Sequence, residues 1–309
     1  MTLIDDVMAY ALIYILSLLP LRALYGLADV IALLMYGVVR YRRRVVRSNL
    51  VNSFPEYSIR EIRRAERHFY RFLADYFVET VKLASMSERQ MRRRMRFEGI
   101  EAVNADLDGG RHVSLFLGHY CNWEWISSLP LHLSRRSHPC QIYHRLRNRV
   151  SDRVFLRLRS RFAATCVPMD EALNVLAADY RAGTPNITGY IADQSPKYNS
   201  LHHFVRFLNQ ETGVLTGVER LSRMVHASAY YCEVSRPRRG CYVCRFVKMT
   251  DDAAAMDRFA LTDKYWQMLE ATIRRRPELW LWSHRRWKHT MEGLRRRFPD
   301  DWQRRLTRL

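Results

Sequence analysis

Acidic residues are in short supply in this 309-residue chain: 31 Asp and Glu face 51 Lys and Arg, for a formal net charge of +20 and a pI near 10.1. A surplus of that size says little about fold, but it narrows the partners to nucleic acid, anionic lipid, or an acidic protein or substrate. Glycine and proline are sparse, at 12 and 10 residues, while apolar residues reach 48% and aromatics 12%. That excludes collagen-like and intrinsically disordered sequence and leaves enough chain for a sizeable buried core. Cysteine is thin as well. Cys121, Cys140, Cys166, Cys232, Cys241 and Cys244 are scattered, with no cleavable signal peptide before them. Reduced thiols in a cytoplasmic setting fit this pattern better than a disulfide framework. Cys241 and Cys244 form one C-x-x-C, but in a strand-like run their odd separation sends the sulfurs to opposite faces, and no second C-x-x-C follows. No metal site is expected, and these cysteines read as small buried apolar residues.

Nor does any apolar run cleanly reach the roughly 20 residues of a straight transmembrane helix. Val7 to Leu19 is apolar until Pro20 and Arg22 break it, and Ala23 to Val39 carries Asp29 in its middle. No basic residue precedes the first run and no A-x-A site follows it, which does not suit a secretory signal. Two short helices lying in one leaflet fit, and so does a single tilted span that tolerates Pro20. Arg40, Arg42, Arg43, Arg44 and Arg47 follow directly. Each is worth about 1 kcal/mol near an anionic cytoplasmic surface. A buried helical hairpin with a solvated basic exit is the alternative. Continuous apolarity that turns abruptly basic favours membrane contact. Residues 1–40 are therefore expected to be a membrane-anchoring helical segment and residues 41–309 the catalytic domain.

Behind that segment, Ile59 to Met86 reads as one helix. Ser58 stands as N-cap with Glu61 at capping-box spacing, and Phe69, Phe72, Leu73, Tyr76, Phe77, Thr80 and Leu83 share a face. Ser87 can cap a second, shorter helix. Strand signals begin at Val113 and recur at Cys140 to His144, Asn186 to Ala192, Ala227 to Val234 and Cys241 to Met249. Helical patterns fall between them at Trp123 to Leu133, Asp152 to Phe162, Glu171 to Arg181, Thr216 to Met224 and Leu261 to Arg275. The alternation predicts an α/β fold with a mixed, mainly parallel central sheet flanked by helices. In such sheets chemistry gathers beyond the carboxyl ends of the strands.

Gly118-His119-Tyr-Cys-Asn-Trp-Glu124 stands at such an end. Five residues separate His119 from Glu124, a spacing that a continuous helix or strand would splay apart. A turn after Gly118 would let them meet. A carboxylate could then fix the imidazole tautomer while the other ring nitrogen takes a proton from a hydroxyl. Alone, H-x-x-x-x-E is a weak signal that chance supplies in a chain of this length.

The surrounding residues add to it. The stretch resembles the G-H-x-G-N-W-E motif of the late acyltransferases of lipid A biosynthesis, members of the lysophospholipid acyltransferase superfamily with an H-x4-D/E site. The likeness continues through Tyr41-Arg-Arg-Arg44, Asn49-Leu50, Asn52-Ser-Phe-Pro55, Tyr143-His-Arg145, Ala192-Asp193-Gln194, Phe207 to Gly217, and Pro277 to Lys288. The resemblance implies transfer of a fatty acyl group from acyl carrier protein to a hydroxyl of a lipid A precursor. His119 would be general base and Glu124 its partner. It implies no cofactor beyond the phosphopantetheine thioester of the donor. Arg145, Arg159 and Arg161 are candidate oxyanion donors, with Arg145 foremost; Asn122, Asp193 and Gln194 are candidates for substrate contact. His284-Arg285-Arg286 would suit an anionic ligand or a structural salt-bridge cluster. Acyl carrier protein, an anionic glycolipid acceptor and the cytoplasmic face of the inner membrane are the partners this implies, and the basic surplus suits all three.

There are departures. The motif's glycine before Asn122 is Cys121, and the usual F-G-x-P-A reads Phe207-Leu-Asn209-Gln-Glu211-Thr212. An aminolipid or mannosylated phosphoinositide acceptor stays open for that reason. A nucleic-acid binder, suggested by arginine clusters interleaved with tryptophans, lacks any recognised motif and leaves the apolar start unexplained.

Overall fold

Apolar runs bounded by turns become the strands of one sheet in the computed structural model, which describes residues 3–134 and 137–307. Residues 1 and 2 of the expected anchoring segment lie outside the described residues. In chain order the strands are β1 (Met95–Glu98), β2 (Val113–Leu117), β3 (His138–Tyr143), β4 (Thr165–Pro168), β5 (Asn186–Ile191), β6 (His203–Phe207), β7 (Gln210–Val214), β8 (Ser228–Arg238) and β9 (Cys241–Thr250). Seven of them form a sheet in the order β1-β9-β8-β2-β5-β3-β4, parallel except where β8 meets β9. The fold is the mixed, mainly parallel α/β sheet that the alternating pattern predicts. All of β2 is buried, as a central parallel strand covered on both faces must be.

Ten helices carry the argument: α1 (Leu3–Leu18), α2 (Leu21–Leu33), α3 (Arg43–Ser53), α4 (Ile59–Lys82), α5 (Glu88–Arg94), α6 (Ile100–Asp108), α7 (Arg149–Arg159), α8 (Ala172–Arg181), α9 (Gly217–Met224) and α10 (Ala260–Arg275). The expected capping box at Ser58 forms, and the Ser87 cap is a capping box as well. Ser58 pairs reciprocally with Glu61, and Ser87 with Gln90. Phe69, Phe72, Leu73, Tyr76 and Thr80 of α4 are buried, as is Leu83 just beyond it, but Phe77 is 45% exposed and leaves the expected core face. Trp123 to Leu133 forms a 3-10 helix, Trp125–His132, with Pro130 inside it. A proline there has no N–H to give an α-helical bond.

Four short strands escape the sequence pattern. β1 and β4 have four residues each, too few for a period to declare itself. β6 and β7 form a separate hairpin closed by Leu208 and Asn209, both at positive φ (48° and 63°). That two-residue turn is normally signalled by Asn-Gly, and here no glycine marks it.

The apolar start is not a detached anchor. Leu24, Ala28 and Ala32 of α2 pack against Ala74 and Val78 of α4, and Lys82 donates to the Ser17 and Leu19 carbonyls at 2.7 and 3.1 Å. Arg239 bridges Asp29 and Asp75. The outer side is different. Val7, Leu12, Ile15, Leu27, Val30, Leu33 and Val38 stay exposed, and Leu21–Val38 is long and apolar enough to cross a membrane with only 22% of it buried.

Candidate active site

β2 and β5 run side by side in parallel, with Leu117 opposite Ile191. Continuing that register by two residues brings His119 level with Asp193, each just past the carboxyl end of its strand. The imidazole Nδ1 lies 2.5 Å from Asp193 Oδ1. Asp193 Oδ2 accepts from the His119 backbone N–H at 2.8 Å and from the Trp280 indole at 2.7 Å. Burial alone would raise the Asp193 carboxyl. The adjoining imidazole and these hydrogen bonds outweigh it and hold the group below the usual carboxylate range. Asp193 therefore accepts from Nδ1–H, which leaves Nε2 as the basic nitrogen facing the cleft. The Gln194 side-chain amide donates to that nitrogen at 3.1 Å.

Glycine at 118 avoids a steric clash. A Cβ there would lie 2.7 Å from Leu269 Cδ1 and 3.3 Å from Asp193 Oδ2. The bend that follows is carried by Cys121 at φ 55°, the position where the resembling motif has glycine. The loop is clamped from outside. Cys121 N–H donates to the Leu279 carbonyl at 2.9 Å, and Leu281 N–H to that of His119 at 3.1 Å. Asn49 in turn donates to the Trp282 and His284 carbonyls, and Arg42 to that of Ser283. Motifs far apart in sequence thus converge on one loop.

The bend turns Glu124 elsewhere. The expected direct His119–Glu124 pair does not form among the described residues, because Arg159 takes the carboxylate in a fork, Nε to Oε2 at 2.7 Å and Nη2 to Oε1 at 2.6 Å. The Tyr76 hydroxyl adds a third donor at 3.2 Å. Burial pushes Glu124 up, but the Arg159 charge and hydrogen bonds prevail and hold it low. Tyr76 stacks on Trp123 with ring centroids 4.1 Å apart, and Trp123 meets His119 edge-on at 5.1 Å. Glu124, Trp123 and His119 thus line one cleft with Arg159 beside them.

Among the other expected site residues, the arginine order inverts. Arg145 is 46% exposed and bound to Asp170 and Glu171, away from the imidazole. Arg161 donates to the Ala84 and Met86 carbonyls and ties down the chain after α4. Of the three candidates, Arg159, ranked behind Arg145 on sequence, is the one in the cleft. Its Nη1 is the nitrogen left over from the Glu124 fork. Asn122 faces inward, donating to Glu79 Oε2 at 2.7 Å and accepting from Trp125 N–H, so it shapes the turn rather than meeting substrate. Arg286 is buried against Trp266 and bonded to the Gly213 carbonyl, so it does not offer its charge to an anion at the surface. His284 lines the cleft, and burial pulls its imidazole down to about 4.

Two cavities meet at His119. One, of about 290 Å³, is an apolar slot running under the 3-10 helix along the face of β2, β5 and β3. The other, of about 360 Å³, opens toward Tyr41, Arg42, Phe77 and His284. They share His119, Trp123, Glu124, Leu146, Arg159 and Gln194. At the β3 side of the slot, which Cys140 also lines, His138, Cys140 and Asp179 bring possible ligand atoms within 4.8 Å of one another. His138 there is already engaged by Asp179 and Thr165, and burial pushes the Cys140 thiol up to about 12, which disfavours a thiolate.

A model of the bacterial lipid A biosynthesis acyltransferase family matches residues 3–289. No curated protein matches the chain.

Proposed function

The chain belongs to the bacterial lipid A biosynthesis acyltransferase family, and from that premise we propose that it moves a fatty acyl group from acyl carrier protein to a hydroxyl of a lipid A precursor at the cytoplasmic face of the inner membrane. His119 Nε2 removes the proton from the acceptor hydroxyl, displacing the Gln194 amide as it does so. The oxygen attacks the thioester carbonyl. Asp193, paired to Nδ1–H, keeps the required tautomer and supports the imidazolium that forms. Arg159 offers its remaining nitrogen to the oxyanion of the tetrahedral intermediate, and Glu124 acts by aiming that guanidinium. Collapse breaks the carbon–sulfur bond, and the imidazolium returns its proton to the leaving thiolate. The acyl chain occupies the apolar slot. The acceptor enters the open cleft beside the exposed apolar helices.

The observation that carries this reading is the His119–Asp193 pair at the junction of an apolar slot and an open cleft. The test mixes purified protein with acyl carrier protein thioesters and either a lipid A precursor, an aminolipid or a mannosylated phosphoinositide, with products read by mass spectrometry. Acyl ester on the lipid A precursor supports the assignment. Product only on another lipid would move the acceptor, and no product on any lipid would refute the activity.

A further inference from the structure

The apolar slot contains a gap that no backbone requirement explains. Along the slot face of the sheet the side chains form rows set by register. Leu117 and Ile191 lie nearest His119, then Leu115, Gly189 and Gln141, then Ile187 and Pro139. Gly189 sits mid-strand in β5, where glycine costs stability and usually marks close approach of another group. Its φ is not in the left-handed region, and an added Cβ would meet only Leu117 Cδ1 at 3.6 Å and the Cys140 carbonyl at 3.9 Å, both ordinary contacts. An alanine would fit there without strain. In a central strand otherwise buried on both faces, Gly189 and Ile191 are the positions left half-buried, and both open to the slot. The neighbouring Gln141 is held aside by the Arg159 carbonyl and Cys166.

We infer that Gly189 is the length gauge of the slot: its missing side chain lets a long acyl chain run past the middle row toward Ile187. This rests on the acyl-transfer reading above and deepens it. The gauge lies four residues deeper than His119 along the strand direction, about 13 Å at ~3.3 Å per residue. An extended chain advances roughly 1.3 Å per carbon–carbon bond of ~1.5 Å, so about ten carbons fit above Gly189. Longer chains must pass it. A side chain at 189 takes that space and turns away the methylenes beyond, with a penalty of about fourfold for each one excluded.

The experiment compares wild type, Gly189→Ala and Gly189→Leu on decanoyl, dodecanoyl, tetradecanoyl and hexadecanoyl thioesters of acyl carrier protein, alone and in competition. The expected result is a graded fall in the ratio of hexadecanoyl to decanoyl transfer, severalfold for Gly189→Ala and on the order of 100-fold for Gly189→Leu. Thermal melting checks the fold of each variant, and Gly189→Ala carries the test if the leucine variant does not fold. Wild-type transfer with an unchanged length profile in a folded alanine variant would overturn the gauge alone. No transfer by wild type from any thioester would remove the acyl-transfer reading first, and the gauge with it.

Discussion

Asp193→Asn separates the two carboxylates that compete for the role of imidazole partner. Asp193 Oδ2 accepts from two groups that can only donate, the His119 backbone N–H at 2.8 Å and the Trp280 indole N–H at 2.7 Å. In the asparagine variant the amide oxygen must stay on that side, or two donors would face the amide NH2 in a buried pocket. The NH2 then faces His119 Nδ1, which can answer only as an acceptor. The ring proton moves to Nε2, and the nitrogen aimed at the acceptor hydroxyl loses its lone pair. Loss of the orienting carboxylate in a His-dependent site costs on the order of 10⁴ in kcat. That corresponds to about 5.5 kcal/mol of barrier at ~1.4 kcal/mol per decade. Because asparagine has nearly the same shape as aspartate, KM should move little. Steady-state transfer from acyl carrier protein thioester, measured beside melting temperature, reads all three. Glu124→Gln should behave otherwise. It keeps the tautomer but leaves the Arg159 guanidinium, one-fifth exposed, without its counter-charge. The result is a stability loss of about 3 kcal/mol and misaim of the arginine. Turnover within tenfold of wild type in a folded Asp193→Asn protein would refute the pairing.

Other outcomes follow from the same geometry. Gly118→Ala forces Leu269 aside and crowds Asp193; a stability loss of about 1–2 kcal/mol by denaturant titration should accompany a larger loss of kcat. Arg159→Ala should cut kcat by about 10² or more, whereas Arg145→Ala should leave turnover near wild type, since its partners Asp170 and Glu171 lie at the surface; equal losses in the two would contradict the arginine assignment. On acidification, His284 is held near 4 when folded and titrates near 6.5 when unfolded, so the unfolded chain takes up the proton first. Stability should therefore fall as pH drops from 6.5 toward 4. Asp193 and Glu124, held low when folded, add their loss only below the ordinary carboxylate range. His284→Asn should make the upper limb of a melting-versus-pH curve shallower and spare the lower one, while His68, His112, His132 and His289, also held low by burial, keep the rest of that limb. Replacing exposed Leu12, Ile15, Val30 and Leu33 with glutamine should release the protein from membrane pellets without unfolding it, because these side chains are exposed and stand outside the packed α2–α4 cluster; continued sedimentation would count against membrane contact through that face.

The sheet was legible because its central strands are long apolar runs between turns, and α4 because its capping box and apolar stripe agree. β1 and β4 were not, being shorter than any detectable period, and the β6–β7 turn was hidden because Leu208 and Asn209 take positive φ without glycine. His119 was legible from the strand-then-glycine context. Its partner was misassigned because spacing within one motif says nothing about the neighbouring strand. A signal did exist. Leu117-Gly-His119 and Ile191-Ala-Asp193 end two parallel strands at the same offset, and in-register pairing of those ends would have named Asp193. Arg159 carried no comparable mark, since it sits at the end of a helix full of arginines and only the tertiary fold selects it. The role of Pro277 to Lys288 as a clamp was equally silent, because the two bonds that tie it to the His119 loop are backbone bonds, which leave no mark in the side-chain pattern.

The most direct test is nitrogen-15 NMR of histidine-labelled protein in detergent, following the His119 ring. A strongly downfield Nδ1 proton is expected, kept in Glu124→Gln and lost in Asp193→Asn. A downfield proton that survives in Asp193→Asn and disappears in Glu124→Gln would contradict the pairing on which the proposed chemistry stands.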